Sequence, residues 1–166
     1  MKEHFVITVG REYGSGGREI AKLVAQKLNV PFYDKELLTL AAQKSGICQE
    51  IFEHNDEKTT VSDMLPVTAG TGFGAGVGLG LQMPMNQRVF LAQFEVITNL
   101  AKEQSCVIVG RCADYVLRDM DHVTHIFLYA SLEKRVERIM RLEHVDADKA
   151  RELIRKTDKQ RKSYYN

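Results

Sequence analysis

Glycines cluster near the start of the sequence, between an apolar segment and a stretch of helical periodicity. In "FVITVGREYGSGGREIAKLVAQKL" (5–28), Gly10 ends the apolar segment, and Gly14, Gly16 and Gly17 follow it. Glycine permits the positive φ angles and the close backbone approach that a phosphate cradle requires. The following helix adds its N-terminal amides and its dipole. We therefore predict a phosphate-binding loop whose residues are Gly10, Gly14, Ser15, Gly16, Gly17, Arg18 and Lys22.

The lysine that such a loop normally contains is absent. A standard loop reads GxxxxGK[ST], in which the lysine reaches the terminal phosphates and the hydroxyl binds Mg²⁺. Gly16 occupies the lysine position, or Gly17 if the loop has one extra residue. Arg18 is the predicted substitute because a guanidinium bridges two phosphate oxygens, and Lys22 is the reserve. Ser15 carries the only aliphatic hydroxyl inside the loop and is the predicted magnesium ligand.

Two other interpretations of this loop stay open. A tight strand-to-helix turn also needs glycine and binds no ligand. A dinucleotide fingerprint, GxGxxG, fits less well when it starts at Gly14, because Glu19 stands where the last glycine is required.

A second group of charged residues follows an apolar strand in "VIVGRCADYVLRD" (107–119). Gly110, Arg111 and Asp114 come just beyond the strand end, where open parallel sheets bind ligands. Arg111 and Asp114 thus offer opposite charges to a bound molecule. The alternative is structural: they cap the next helix and pair with each other.

Three arginines recur at every third position in "ASLEKRVERIMR" (130–141). Arg135, Arg138 and Arg141 largely share one helical side, opposite a stripe of Leu132, Val136 and Ile139. A solvated helix face explains such a run by default. An anion clamp becomes the better interpretation because two phosphate-compatible segments precede it.

Strands and helices alternate around these groups. Periodicity and turn residues predict buried strands over 5–9, 106–110 and 123–130, and a short strand over 32–33. Asp34 is the expected cap of a helix that ends at Gly46, and a short helix is expected over 47–54. Apolar stripes predict the other helices: Ile20, Leu23, Val24 and Leu28; Phe90, Phe94, Ile97 and Ala101; Leu132, Val136, Ile139 and Met140; Ala147, Ala150, Leu153 and Ile154. The pattern predicts an α/β fold with a parallel sheet.

Length and composition narrow the class of protein. A chain of 166 residues suggests one domain. Its 23 Lys and Arg against 22 Asp and Glu give no global field that favours nucleic acid or an anionic membrane. The three cysteines form no CxxC pair, which predicts reduced thiols, and the five histidines show no metal spacing. Since the sequence has neither a long apolar run nor a leader, we expect a cytoplasmic protein. The alternating glycines of 70–80 predict a mobile cover or a disordered insertion.

Five segments, in this order, resemble the cytidylate kinase-like family of P-loop proteins. They are "ITVGREYGSGGREIA", "PFYDKELL", "VIVGRCADYVL", "HIFLYASLEKRVERIMR" and "IRKTDKQRKSYY", and together they span nearly the whole chain. The resemblance implies a three-layer α/β/α fold of the nucleoside monophosphate kinase type. It implies a core from about 1–34 and 105–135, an acceptor-binding insertion over 35–104 and a helical lid over 136–163. Such domains commonly finish with one more strand and helix, which raises the expectation of a C-terminal truncation.

The resemblance also implies an activity and a set of site residues. The expected activity transfers the γ-phosphoryl group of ATP, with Mg²⁺, to a nucleoside monophosphate, with CMP or dCMP as the first choice. Members of this family share the loop without lysine, so a non-catalytic nucleotide-binding or regulatory module is the alternative. Asp34, Arg111 and Asp114 are then expected at the acceptor. The arginines expected to act on the transferred or donor phosphates are Arg18, Arg138, Arg141, Arg155 and Arg161. The expected partners are small nucleotides, neither nucleic acid nor membrane, and the oligomeric state is left open.

Overall fold

The computed structural model describes residues 4–46 and 85–165. The elements in chain order are β1 (Val6–Arg11), α1 (Gly17–Leu28), β2 (Phe32–Tyr33), α2 (Glu36–Ser45), α3 (Met85–Glu103), β3 (Cys106–Val109), α4 (Ala113–Val116), β4 (Val123–Leu128), α5 (Leu132–Glu143) and α6 (Ala147–Tyr165). The helix expected over 47–54, the glycines of 70–80 and most of the expected insertion over 35–104 lie outside the described residues.

The described strands form one parallel sheet in the order β2–β3–β1–β4. Val6 of β1 aligns with Cys106 of β3 and with Val123 of β4, and Tyr33 of β2 aligns with Ile108 of β3. Parallel strands end at the same edge of a sheet, so the segments that follow β1, β2 and β3 meet there. The predicted parallel sheet is confirmed, and the glycine loop, Asp34 and Arg111 follow its strands at this edge.

Helices cover both faces of the sheet. On one face, small residues of α1, including Ala21 and Ala25, pack on Val9, Val107 and Val109. On the other face, α2, α3 and α4 form a larger apolar core; its fully buried members include Leu37, Ala41, Ile97, Ile108 and Leu117. This arrangement is consistent with three α/β/α layers.

Two of the predicted helix stripes are partly wrong. In α1 the large residues Ile20, Leu23 and Leu28 are exposed, because the helix approaches the sheet through its small residues. In α3, Phe94 is exposed and Phe90 only partly buried. The buried side of α3 consists instead of Val89, Gln93, Val96, Ile97 and Ala101. A helical period locates an amphipathic helix, but several rotations of the helix satisfy a broad stripe.

The prediction that β4 is a buried strand is wrong. In the described part of the chain β4 pairs only with β1 and lies at the edge of the sheet. Phe127 is 63% exposed, and Ile126 and Tyr129 are also exposed. A continuous apolar run is typical of a buried parallel strand, but it does not reveal the position of the strand in the sheet.

Helices α5 and α6 form a hairpin with a small core of its own. Val136 and Ile139 of α5 pack against Ala150 and Ile154 of α6, as their spacing predicts. Ser131 caps α5 and accepts a hydrogen bond from the Lys134 amide at 3.5 Å. Two other predictions for α5 are wrong: Leu132 and Met140 are exposed, and Arg135, which was expected opposite the apolar stripe, is buried. Among the described residues, no helix combines the length and the apolar character needed to cross a membrane.

Candidate functional site

The glycine loop (residues 10–17) leads from β1 into α1 and exposes backbone donors. Gly14 and Gly16 adopt φ angles of 81° and 84°, in the left-handed region that favours glycine. The Ser15 hydroxyl donates to the carbonyl of Glu12 at 2.9 Å and accepts from the Gly17 amide at 3.3 Å, which fixes the turn. Within the described ranges, the amides of Gly14, Gly16 and Arg18 have no hydrogen-bond acceptor. Together with the N-terminus of α1, they are donors available to an anion.

Helix α5 lies directly on this loop. A Cβ added at Gly14 would lie 3.1 Å from the carbonyl oxygen of Arg135, and one added at Gly16 would lie 2.9 Å from Cζ of Arg138. The guanidinium of Arg138 therefore covers Gly16, and it also comes within 3.7 Å of Glu19 on α1. The loop position where a lysine is usual is thus covered by an arginine from a distant helix.

Arg18, the predicted lysine substitute, points elsewhere. Its Nε donates to Asp34 Oδ2 at 2.5 Å, and this hydrogen bond raises the pKa of Arg18. The Arg18 side chain is 59% exposed, whereas that of Asp34 is buried. Asp34 does not cap α2, whose N-cap is Lys35 without a side-chain cap. The predicted capping role of Asp34 is wrong because its carboxylate binds arginine.

Arg111 completes a charged cluster with Asp34 and Arg18. The Arg111 side chain is 1% exposed, and its Nη2 lies 3.8 Å from Asp34 Oδ1. Asp34 follows β2, Arg111 follows β3 and Arg18 lies in the first turn of α1, so the common carboxyl edge of the sheet brings all three together. Asp114 lies in the first turn of α4, next to this cluster in sequence.

The backbone at Arg111 is strained. Gly110, Arg111 and Cys112 have φ angles of 71°, 59° and 51° in succession. The left-handed conformation costs a residue other than glycine roughly 1–2 kcal/mol. Such strain persists only where the surroundings enforce it, and it is concentrated at functional sites. The strained turn aims the buried arginine back toward Asp34.

Tyr13 anchors the loop in the α5–α6 hairpin. Its ring packs in the hairpin core, and its hydroxyl donates to Glu143 at 3.1 Å. Burial and then the neighbouring Glu143 raise the pKa of the Tyr13 phenol. The Tyr13 amide donates to Asp158 Oδ1 at 2.8 Å, and Arg161 lies 5.6 Å from the centre of the Tyr13 ring.

Arg135 joins the same anchor from α5. Its Nε donates to the Tyr13 carbonyl at 2.7 Å, and its Nη1 lies 3.0 Å from Glu12. Its Nη2 forms an ion pair with Asp158 of α6. The loop, α5 and α6 are therefore held together by one buried arginine and two carboxylates.

The remaining predicted residues divide into those at the loop and those away from it. Arg161 reaches the loop and donates to the carbonyl of Arg11 at 3.4 Å. Gly10 and Gly17 serve close packing, because an added Cβ would lie 2.8 Å from the Phe127 ring and 2.6 Å from Arg11 Cβ, respectively. Lys22 lines an open pocket of about 420 Å³ with Pro31 and Phe32, toward the amino ends of the strands. Arg141 and Arg155 are exposed, and neither forms a hydrogen bond or ion pair with another described residue.

Sequence reasoning missed the anchor residues Glu12, Tyr13, Arg135 and Asp158. A signal existed for Arg135, which precedes Ile139 by four positions and therefore lies on its side of the helix. An aromatic residue inside a glycine loop, as at position 13, was a second signal. No sequence signal pointed to Asp158, because its partner Tyr13 is 145 residues away.

The donor set fits phosphate better than a protein-held metal. The described residues contain no group of three or more His, Cys, Asp or Glu that would hold a metal ion. The nearby carboxylates, Glu12, Glu19 and Asp34, all lie against arginines. The Ser15 hydroxyl is engaged inside the loop. A magnesium ion at this site would therefore be carried mainly by the phosphates of a nucleotide.

Comparisons with known proteins identify a matching family and a similar solved structure. A sequence model described as the cytidylate kinase-like family matches residues 6–166. A solved structure, titled as an uncharacterized protein from Eubacterium ventriosum ATCC 27560, is 28% identical with a TM-score of 0.66. The alignment covers 98% of this chain and 76% of that one. A search of curated proteins gives no match.

Proposed function

The chain belongs to the cytidylate kinase-like family, which confirms the resemblance, and on that premise we propose that it is a nucleotide-binding phosphotransferase. In this proposal the fold is of the P-loop type, the α5–α6 hairpin is its lid, and ATP·Mg²⁺ donates the γ-phosphoryl group to a nucleoside monophosphate. CMP and dCMP are the first acceptors to test.

One observation carries the proposal: the guanidinium of Arg138 covers Gly16 of the glycine loop. Phosphoryl transfer depends mainly on positioning and on neutralising the charge that spreads over the transferred group. Backbone amides supply part of that neutralisation, and a cation supplies the rest. Arg138 takes the role of the missing lysine from the opposite side of the loop.

The donor phosphates are proposed to bind the amides of Gly14, Gly16 and Arg18, with the guanidinium of Arg138 contacting them from α5. Arg138 now lies 3.7 Å from Glu19 through a weak, half-exposed pair, so a phosphate group competes with Glu19 for the guanidinium. Magnesium, when bound with the nucleotide, adds charge neutralisation on the phosphate oxygens.

The acceptor is proposed to bind at the cluster of Arg18, Asp34 and Arg111. Arg111 is buried and held in a strained turn with its guanidinium 3.8 Å from Asp34, and in this proposal its positive charge binds the phosphate monoester. Asp34 retains Arg18 through the shorter contact. The cluster thus presents positive charge beside the loop and keeps a carboxylate for a sugar hydroxyl.

A second function is supported by a different observation. The carboxylates nearest the loop are paired with arginines, and the Ser15 hydroxyl is bonded within the turn. The described residues around the loop therefore offer magnesium no side chain that is already oriented. A regulatory module that binds nucleotides without turnover fits that arrangement. Both functions require nucleotide binding, but only the kinase requires turnover.

Incubation of the protein with ATP·Mg²⁺ and a panel of nucleoside monophosphates separates them, with ADP formation as the readout. ADP that depends on CMP or dCMP supports the kinase. Nucleotide binding by calorimetry without ADP formation supports the regulatory module. No binding of ATP or of any monophosphate refutes both.

Arg138→Ala tests the residue at the centre of the proposal. Removing a charged hydrogen bond costs about 1.5–3 kcal/mol, so affinity for a non-hydrolysable ATP analogue should fall roughly ten- to hundredfold. Lys134→Ala is the matched control, because it removes an exposed cation from the same helix. Equal affinities in the two variants would contradict the role of Arg138.

A further inference from the structure

Asp158 links α6 to the glycine loop through both of its carboxylate oxygens. Oδ1 accepts the Tyr13 amide at 2.8 Å, and Oδ2 pairs with Arg135. Arg135 in turn donates to the Tyr13 carbonyl at 2.7 Å. The amide and the carbonyl of one loop residue are thus both bound by the hairpin.

The contacts of Asp158 with Arg135 also affect Arg138, which follows Arg135 by three positions on α5. Neighbours at this spacing lie on the same side of a helix, so fixing Arg135 fixes the place from which Arg138 extends. Arg135 is 6% exposed and cannot move into solvent without losing its partners. Asp158 therefore acts on the loop backbone directly and on Arg138 through α5.

We propose that Asp158 is a positioning residue for the phosphate site: from α6 it sets the conformation of the glycine loop and the placement of Arg138 above Gly16. This inference rests on the proposed function for its phosphate ligand. It differs from a general lid-stabilising role, because the contact is made to the loop backbone itself. Binding of phosphate at the loop and order in α6 are then coupled.

Another acidic residue of α6, Asp148, provides a control for Asp158. Asp148 pairs with Arg151 at 3.1 Å on the same helix, and its side chain is 98% exposed. Asp148→Asn removes the same charge from the same helix without touching the loop. Any effect specific to Asp158 is therefore not an effect of helix charge.

The first experiment needs no nucleotide. Hydrogen–deuterium exchange of the Tyr13 amide is compared in the wild-type protein and in the Asp158→Ala, Asp158→Glu and Asp148→Asn variants. We expect at least roughly tenfold faster exchange in Asp158→Ala, because a charge-assisted acceptor is lost. Asp158→Glu should restore part of the protection, and Asp148→Asn should leave it unchanged. Unchanged exchange in Asp158→Ala overturns the inference.

The second experiment measures binding of inorganic pyrophosphate and of a non-hydrolysable ATP analogue by calorimetry, at a temperature where each variant is folded. Affinity should fall roughly tenfold or more in Asp158→Ala and recover partly in Asp158→Glu. Wild-type affinity in Asp158→Ala refutes a role at the phosphate site. If Asp158→Ala does not fold, the same comparison is made with Asp158→Asn, which keeps an acceptor oxygen but loses the charge.

The two proposals fail in different ways. A wild-type protein that binds neither pyrophosphate nor the ATP analogue refutes the proposed function, and the exchange experiment then still decides whether Asp158 sets the loop. A wild-type protein that binds both, with an Asp158→Ala variant that binds equally well, refutes only the positioning role.

Discussion

Gly16→Ala is the sharpest perturbation of the site, because it acts on Arg138 without changing Arg138. The new Cβ would lie 2.9 Å from Cζ of the guanidinium, which is closer than carbon atoms approach in proteins. The obstacle is the far end of a flexible side chain, so the arginine moves and the backbone stays. The variant is therefore expected to lose more free energy of nucleotide binding than free energy of unfolding.

The stability cost follows from the φ angle of 84° at Gly16. A left-handed alanine costs roughly 1–2 kcal/mol, which lowers the melting temperature of a protein of this size by several degrees, at about 2–4 °C per kcal/mol. Gly46→Ala is the matched control. Gly46 has a φ of 68°, and nothing lies within 4 Å of a Cβ added there. Both variants should show similar losses in melting temperature.

The affinity cost follows from the displaced guanidinium. Loss of its charged hydrogen bond to phosphate corresponds to about 1.5–3 kcal/mol, or roughly a ten- to hundredfold weaker complex with an ATP analogue. Gly46→Ala should bind as tightly as the wild type. Calorimetric titration of both folded variants measures the difference.

A double-mutant cycle identifies the cause. In an Arg138→Ala background the guanidinium is gone, so Gly16→Ala should cost little further affinity. If Gly16→Ala weakens binding equally in both backgrounds, it acts through the loop backbone, and the reasoning about Arg138 is refuted.

Three further predictions concern Arg111, which follows β3, and Cys106, which begins it. Arg111→Ala should weaken CMP binding roughly ten- to hundredfold while leaving affinity for an ATP analogue nearly unchanged, and calorimetry that shows equal weakening of both nucleotides would falsify the acceptor-side placement. Burial raises the pKa of the Cys106 thiol to about 11 from 9.0, so Cys106 in the folded protein should resist alkylation at pH 8 and react after unfolding, as peptide mass spectrometry would show. Because the folded state holds this proton more tightly, the stabilisation is present below pH 9 and declines as the pH rises toward 11; stability that increases over this range would contradict the burial argument.

The sequence by itself determined the local features of this protein. Glycines at 14 and 16, between an apolar strand and a helix, predicted the loop, because few other residues adopt a left-handed φ at low cost. Alternation of apolar strands with helices predicted a parallel sheet, and parallel strands bring their carboxyl ends to one edge. Arg111 was therefore expected at that edge, and the resemblance implied Asp34 near it; in the structure Arg111 Nη2 lies 3.8 Å from Asp34 Oδ1.

Only the tertiary structure decided which arginine covers the loop. Arg18 adjoins the loop in sequence but turns to Asp34, while Arg138 arrives from α5. A long side chain reaches several ångströms in many directions, so its target depends on the angle at which its helix packs, which local spacing does not encode. The same holds for Asp158, which meets the Tyr13 amide across 145 residues. Periodicity records which side of an element is apolar, whereas contacts between distant elements are fixed only when the α5–α6 hairpin packs on the loop through Tyr13.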